Sequence, residues 1–267
     1  MPSLLFAPDL GAPGSALALS RDEAHYVARV CRAREGDFAE ATDGRGTLAR
    51  LRLVGVGREV RAEVVSVERR DRPGRTWLWC GAPERGRADW LVEKLAELGV
   101  ERFQPLDCDG SPWPAGAARL ERWRRIAIAA LRQSRRPFLL DIRPPVPVEA
   151  ALAAIDAPAD RWLGDADGRV IAVGPAPPGS AGGSAVPERG ADGTPRVPDP
   201  AAPDLQVGAI GPSSGFTVAE RNCFLAAGFE PIRLADARLR TETAAVSMAA
   251  WWAAGNAKGP AASRGSA

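Results

Sequence analysis

The chain has 267 residues, 45% of them hydrophobic, enough for one large or two smaller domains with a sizeable core. Its formal net charge is only +2 and His25 is its one histidine, so a His-rich metal site is excluded and a Ser-His-Asp triad would have to use that residue. Cys31, Cys80, Cys108 and Cys223 are scattered without zinc-ligand spacing, which fits reduced thiols in a cytoplasm, and neither a leader peptide nor an apolar run of about 18 residues is expected to direct the chain to a membrane.

Residues 1–70 read as short strands. "ALAL", "DFAEATDG", "GTLARLRLVGV" and "VRAEVVSVERR" alternate or are β-branched, with glycine-bearing turns between them. One helix is predicted among them, "SRDEAHYVARVCR", opened by a capping box of Ser20 and Glu23. The pattern predicts a small, mostly β, barrel-like domain, and "DRPGR" (71–75) reads as a turn or linker.

From Trp77 strands and helices alternate. "TWLWCGA" predicts a strand, "RADWLVEKLAELG" a helix stopped at Gly99, "VERFQPLDC" a strand and "GAARLERWRRIAIAALRQS" a long helix. "FLLDIRPP" is strand-like, "VEAALAAI" a short helix, and "DRWLGDADG" a strand with a turn. "LQVGAIGP" is a buried strand and "TVAERNCFLAAG" a helix capped by Thr217 and Glu220. "EPIRLA" is a strand, and 241–254 forms the last helix. Such alternation predicts a mostly parallel sheet covered by helices. Residues 174–203 hold eight prolines, six glycines and no aromatic residue, a composition that predicts a disordered insertion. The tail from Gly255 reads the same way.

Three stretches carry functional signal. "VGAIGPSSGFTVAER" runs an apolar strand through a Gly-Pro-Ser-Ser-Gly loop into a capped helix, where backbone N–H groups are free to meet a ligand. An ordinary strand-to-helix loop is the plain alternative. "RLADARLRTETAAVSMAAWW" places Arg240 and Glu242 at the mouth of a helix made mostly of alanine. Thr241 or Thr243 can cap that helix and Glu242 suits its positive end, but a cation at Arg240 does not, which points to a ligand or a partner residue. The plain alternative is an amphipathic terminal helix. Third, arginines crowd residues 119–143, either as a phosphate-binding face or as a solvated helix surface.

In this order the stretches resemble one family, the bacterial 16S ribosomal RNA uridine-N3 methyltransferases (small-subunit methyltransferase E) of the SPOUT superfamily. The family-like features are "HYVARVCRAREGD", "DGRG", "RG" (85–86), "EKLAELGV", "RWRRIAIAA", Gln133-Ser134 with Arg136, "IGP" and, most specifically, "LRTETA" (239–244). The resemblance implies an α/β protein with an N-terminal PUA-like RNA-binding β-barrel over 1–70. A C-terminal SPOUT α/β domain with a deep trefoil knot would follow over 75–256, with 172–205 a disordered insertion and 257–267 a disordered tail.

It also implies S-adenosyl-L-methionine as cofactor, 16S ribosomal RNA or the small ribosomal subunit as partner, a cytoplasmic homodimer, and neither metal nor membrane. Ile210, Gly211, Pro212, Gly215, Leu234, Leu239, Thr241, Thr243 and Ala244 would hold the cofactor. Arg240 would stabilise charge on the uracil oxygens, while Glu242 would accept a proton or orient Arg240. Arg29, Arg32, Arg125, Arg132 and Arg136 would meet RNA. The thin terminal helix would be threaded through the knot and packed against a partner. Ser213-Ser214 stand where the family usually has Glu-Gly, and the alternative is a non-catalytic RNA-binding dimer or an enzyme acting on another RNA.

Overall fold

The structure, a computed structural model, describes residues 4–57, 59–114, 116–171 and 205–256. The expected tail 257–267 and the expected insertion lie outside these residues, except that Leu205 is the first residue of a strand. The first part of the chain contains β1 (Leu4–Phe6), β2 (Ala16–Ala18), α1 (Arg21–His25), β3 (Phe38–Thr42), β4 (Thr47–Val56) and β5 (Val60–Arg69). Then come β6 (Arg75–Cys80), α2 (Ala88–Leu98), β7 (Arg102–Asp107), α3 (Ala117–Ser134), β8 (Asp141–Ile142), β9 (Val146–Pro147) and α4 (Val148–Ala153). The last elements are β10 (Ala159–Val170), β11 (Leu205–Ile210), α5 (Val218–Ala226), β12 (Glu230–Arg233) and α6 (Thr241–Asn256).

The chain divides into two compact units, neither of them continuous in sequence. The first gathers residues up to Pro73 with Gly86–Phe103 and Pro114–Pro144. Its sheet has the order β1-β3-β4-β5-β2, with β1 parallel to β3 and the other pairs antiparallel. Strand β4 shows why: Ala49, Leu51 and Leu53 point into the core while Arg50, Arg52 and Val54 point out, the period of two expected of a sheet with one face buried. Leu5, Leu17, Val27, Leu51, Val60 and Val64 share that core. The helix predicted from Ser20 forms over Arg21–Val30, but it is an α-helix only to His25. After α1 the backbone widens over Tyr26–Val30, where the Cys31 N–H bonds the carbonyl of Tyr26.

The "DGRG" turn joins β3 to β4. Asp43 Oδ1 accepts from the N–H groups of Arg45 and Thr47, at 2.7 and 3.0 Å. The segment after α3 lies along this turn: Gly46 N–H donates to Pro137 at 2.9 Å and Leu139 N–H to Gly44 at 2.9 Å. Phe138 occupies the space that a side chain on Gly46 would need. In the same unit α2 buries Leu91, Val92 and Leu95 and ends at Gly99, whose φ of 79° supplies the left-handed stop predicted for it. Helix α3 buries Trp123, Ala127, Ala130 and Leu131.

The second unit holds Gly74–Arg85, Gln104–Trp113 and the chain from Pro145. Its strands follow the order β12-β10-β11-β6-β7, and the pairs β10–β12, β10–β11 and β11–β6 are parallel. Interior parallel strands are covered on both faces, which is why "TWLWC" and "VGAI" are apolar without alternation. Trp79, Phe224 and Phe229 pack together, with centroid separations of 5.1 to 6.4 Å. Helix α6 buries Ala245, Met248, Ala249 and Trp252. Gly208 of β11 makes this possible, because Met248 and Trp252 fill the volume of an absent Cβ.

Candidate active site

The strands of the second unit end at a cavity of about 760 Å³. Four pieces of chain wall it: the middle of β10 (Leu163–Asp167), the loop after β11 (Ile210–Ser213, Gly215, Phe216), the loop from Arg233 to Arg240, and the first turn of α6. Loop ends at the carboxyl edge of parallel strands are where α/β sheets present ligand sites. The loop after β11 is laced to the chain following β6. Gly81 N–H donates to Ile210 at 2.9 Å and Ser213 N–H to Ala82 at 3.1 Å, while the Pro212 backbone sits where Gly81 would carry a Cβ. Gly215, at φ 86°, turns the chain toward Thr217, which with Glu220 forms the predicted capping box of α5.

Of the expected cofactor residues, Ile210, Gly211, Pro212, Gly215, Leu234, Leu239, Thr241 and Ala244 line this cavity, together with Arg240 and Glu242. Thr243 does not; it is exposed on α6. Neither threonine hydroxyl is seen capping the helix. The Arg240 carbonyl accepts the first helical bond, from Ala244 N–H at 2.8 Å, and the Thr241 hydroxyl donates across the cavity wall to the Gly211 carbonyl at 3.0 Å. Of the ligand or partner residue expected for Arg240, the structure contains a partner residue: Nη1 donates to Glu84 Oε2 at 2.6 Å. The Glu242 carboxyl is buried.

Glu84, Asp165, Asp167, Arg221 and Arg233 also line the cavity and were not singled out from the sequence. Asp165 lies within β10 and Arg221 sits inside a helix 56 positions later, and their 2.7 Å pairing exists only in the fold. Burial works against ionisation of Asp165, but the Asp167 N–H and the Arg221 guanidinium outweigh it and hold the carboxyl below its ordinary value. Behind the cavity, burial raises the Cys80 thiol well above its usual value, and Cys108 and Glu242 add to the shift. Burial, with Glu220 and Asp107, pushes Cys108 up to about 12. Both are packing thiols rather than nucleophiles. Among the described residues no three His, Cys, Asp or Glu side chains gather as metal ligands, and no helix is long and apolar enough to cross a membrane.

The arginines expected on the RNA side, all in the first unit, separate into two groups. Arg29, Arg32 and Arg125 are exposed. Arg132 and Arg136 are spent on internal contacts. Arg132 pairs with Glu23, which is 2% exposed, and stacks 5.3 Å from the Tyr26 ring centroid. Glu23 therefore does not close a capping box with Ser20; only the Ser20 side chain accepts, from Glu23 N–H at 3.3 Å. Arg136 is half-buried over Gly99 and donates Nε to the Glu97 carbonyl at 2.5 Å, a cation at the carboxyl end of α2.

Two family models match the chain, an RNA methyltransferase domain over residues 70–173 and 191–253 and an RNA methyltransferase PUA domain over 19–65. The ribosomal RNA small subunit methyltransferase E of Synechocystis is 30% identical over 132 residues, which is 49% of this chain but only 43% of that protein. The protein of the same name from Mycobacterium tuberculosis is 30% identical over 261 residues, covering 92% of this chain and 89% of its own length. Among solved structures, the ribosomal RNA small subunit methyltransferase E from Neisseria gonorrhoeae bound to S-adenosyl methionine superposes with a TM-score of 0.76 at 23% identity, covering 94% and 96% of the two chains. With its first matched relative aligned over less than half of that protein's length, but the mycobacterial one over nearly all of it, the chain belongs to the ribosomal RNA small subunit methyltransferase E family.

Proposed function

We propose that the chain transfers the methyl group of S-adenosyl-L-methionine to N3 of a uracil in 16S ribosomal RNA. The observation that carries this reading is the cavity formed by the 210–216 and 233–241 loops, lined by ten of the eleven residues expected around cofactor and reaction. Its composition suits the cofactor. Leu163, Ile210, Leu234 and Leu239 offer apolar walls for a nucleoside base, while Glu84, Asp165, Asp167 and Glu242 offer acceptors for a sulfonium and an ammonium. When bound, the cofactor supplies an already activated methyl group. The chain's own residues must align the uracil, take up or offset its N3 proton and stabilise charge on its oxygens. We assign the last task to Arg240, and proton acceptance, or a share in orienting Arg240, to Glu242.

The same reading assigns a PUA-like barrel to 1–70 and a trefoil-knotted SPOUT domain to 75–256, acting as a cytoplasmic homodimer. Of the five arginines expected to meet RNA, Arg29, Arg32 and Arg125 are exposed, and we assign them to RNA phosphates. The test is nucleoside mass spectrometry of 16S ribosomal RNA after incubation with the purified chain and S-adenosyl-L-methionine, with cofactor binding measured by calorimetry. N3-methyluridine is expected. Micromolar cofactor binding with methylation only of another RNA would move the substrate, and an intact fold without cofactor binding would sink the enzyme reading.

A further inference from the structure

Arg240 and Glu84 stand 156 positions apart in sequence and meet at 2.6 Å on the wall of the cavity. Both side chains are more than half exposed, 57% and 54%. An exposed ion pair of this kind contributes little to stability, so the fold does not need it. The backbones on either side are fixed without it. The Glu84 side is held by the Gly81–Ile210 and Ser213–Ala82 hydrogen bonds, the Arg240 side by the first bond of α6 and by the Thr241–Gly211 bond. What the pair determines is the direction of one guanidinium. An arginine side chain has four rotatable bonds and otherwise samples many directions. With one Nη1 donor on Glu84, the guanidinium has further N–H groups for a second acceptor in the cavity.

We propose that Glu84 is a positioning residue: it fixes the Arg240 guanidinium toward the reacting base and makes it a donor to a neutral carbonyl oxygen rather than a loose clamp for phosphate. The inference rests on the proposed methyl transfer. A carboxylate beside the guanidinium cancels most of its net charge at a distance, which weakens attraction for a phosphate but leaves short-range hydrogen bonding to a base oxygen. Glu84 thereby contributes orientation, and its effect belongs in turnover rather than in binding.

The test uses the full chain with ribosomal RNA and S-adenosyl-L-methionine, comparing Glu84→Ala, Glu84→Gln, Arg240→Ala and the double variant Glu84→Ala/Arg240→Ala. Glu84→Ala is expected to lower kcat about 10-fold while KM for RNA, cofactor affinity by calorimetry and Tm stay nearly unchanged. Glu84→Gln, whose amide oxygen still accepts from Nη1, recovers most of the loss. The double variant is no slower than Arg240→Ala alone, since Glu84 acts only through Arg240. Independently of turnover, ¹⁵N NMR of the guanidinium groups should show slow rotation at Arg240 in the wild-type chain and fast rotation in Glu84→Ala. Full turnover in Glu84→Ala beside a slow Arg240→Ala would overturn the positioning role and leave the methyl-transfer reading standing. Multiplying losses in the double variant would overturn it as well. Full turnover in Arg240→Ala would remove the role of Arg240 itself, and with it anything for Glu84 to orient.

Discussion

At the scale of single residues, Glu23 shows how a local signal can be read correctly in type and wrongly in use. Ser20 and Glu23 have the spacing of a capping box, and the Ser20 half forms, but the carboxylate turns inward to Arg132. Burial raises the Glu23 carboxyl above its ordinary value of 4.5, and Arg132 offsets this only in part. A carboxyl with a raised folded value binds its proton more tightly folded than unfolded. Its contribution to stability therefore falls as pH rises from about 4.5 through that raised value. Glu23→Gln removes the slope, so urea midpoints of the variant should gain on wild type as pH rises above about 4.5. Parallel curves would mean that Glu23 titrates as in the unfolded chain. The same inward turn explains why the arginine cluster was only half legible: composition shows charge, and only packing shows which charges reach solvent. Arg132→Ala should cost about 3–5 kcal/mol by leaving Glu23 buried without its cation, measured by chemical denaturation.

At the scale of elements, most of the second half of the chain was legible because its helices and parallel strands each carry their own period and their own stops. Gly99, Thr217 and Glu220 do in the fold what their positions predict. Of "FLLDIRPP" only Asp141–Ile142 form a strand: Phe138 bridges Arg45 at the "DGRG" turn instead, and Pro144 and Pro145 withhold the N–H groups that a longer ladder needs. Strand β10 is longer than its sequence predicts, running through the expected turn "GDADG" with a register shift between Gly164 and Arg169. The partners of α6 could not be read at all, since small residues are equally consistent with several neighbours. In the fold Gly208 supplies the close approach. Gly208→Val should destabilise the protein by about 1–3 kcal/mol through collision with Met248 and Trp252, and a urea midpoint equal to wild type would show that α6 can back away. On the RNA side, the triple change of Arg29, Arg32 and Arg125 to Ala should leave Tm in place. It should lower the slope of log affinity against log salt by about 2 if each side chain meets one phosphate.

At the scale of the whole molecule, the two units differ in how far their pairings reach along the chain. The first sheet is built largely from neighbours, β3 with β4 and β4 with β5. The second pairs Arg75 with Leu205, so its ladder joins positions 130 apart. Local pairing closes short loops and folds faster than distant pairing. Pulse-labelled hydrogen exchange during refolding should protect Leu51 and Val64 before Trp79 and Val207, and simultaneous protection would indicate a single shared nucleus. The candidate site inherits the slower schedule, since its walls come from β10, β11 and the start of α6. Glu84 escaped the sequence reading for the same reason: its partner is more than half the chain away.

The distance between β6 and β11 has a consequence for the protein as it is made. At about 5–20 residues per second, a ribosome needs roughly 6–26 s to extend the chain from one strand to the other. During that interval "TWLWC" is an apolar, unpaired strand edge on the nascent chain, the kind of segment that aggregates or attracts a chaperone. Arrested nascent chains ending shortly before residue 205 would be the species in which such a chaperone, rather than β11, covers Trp77 and Trp79.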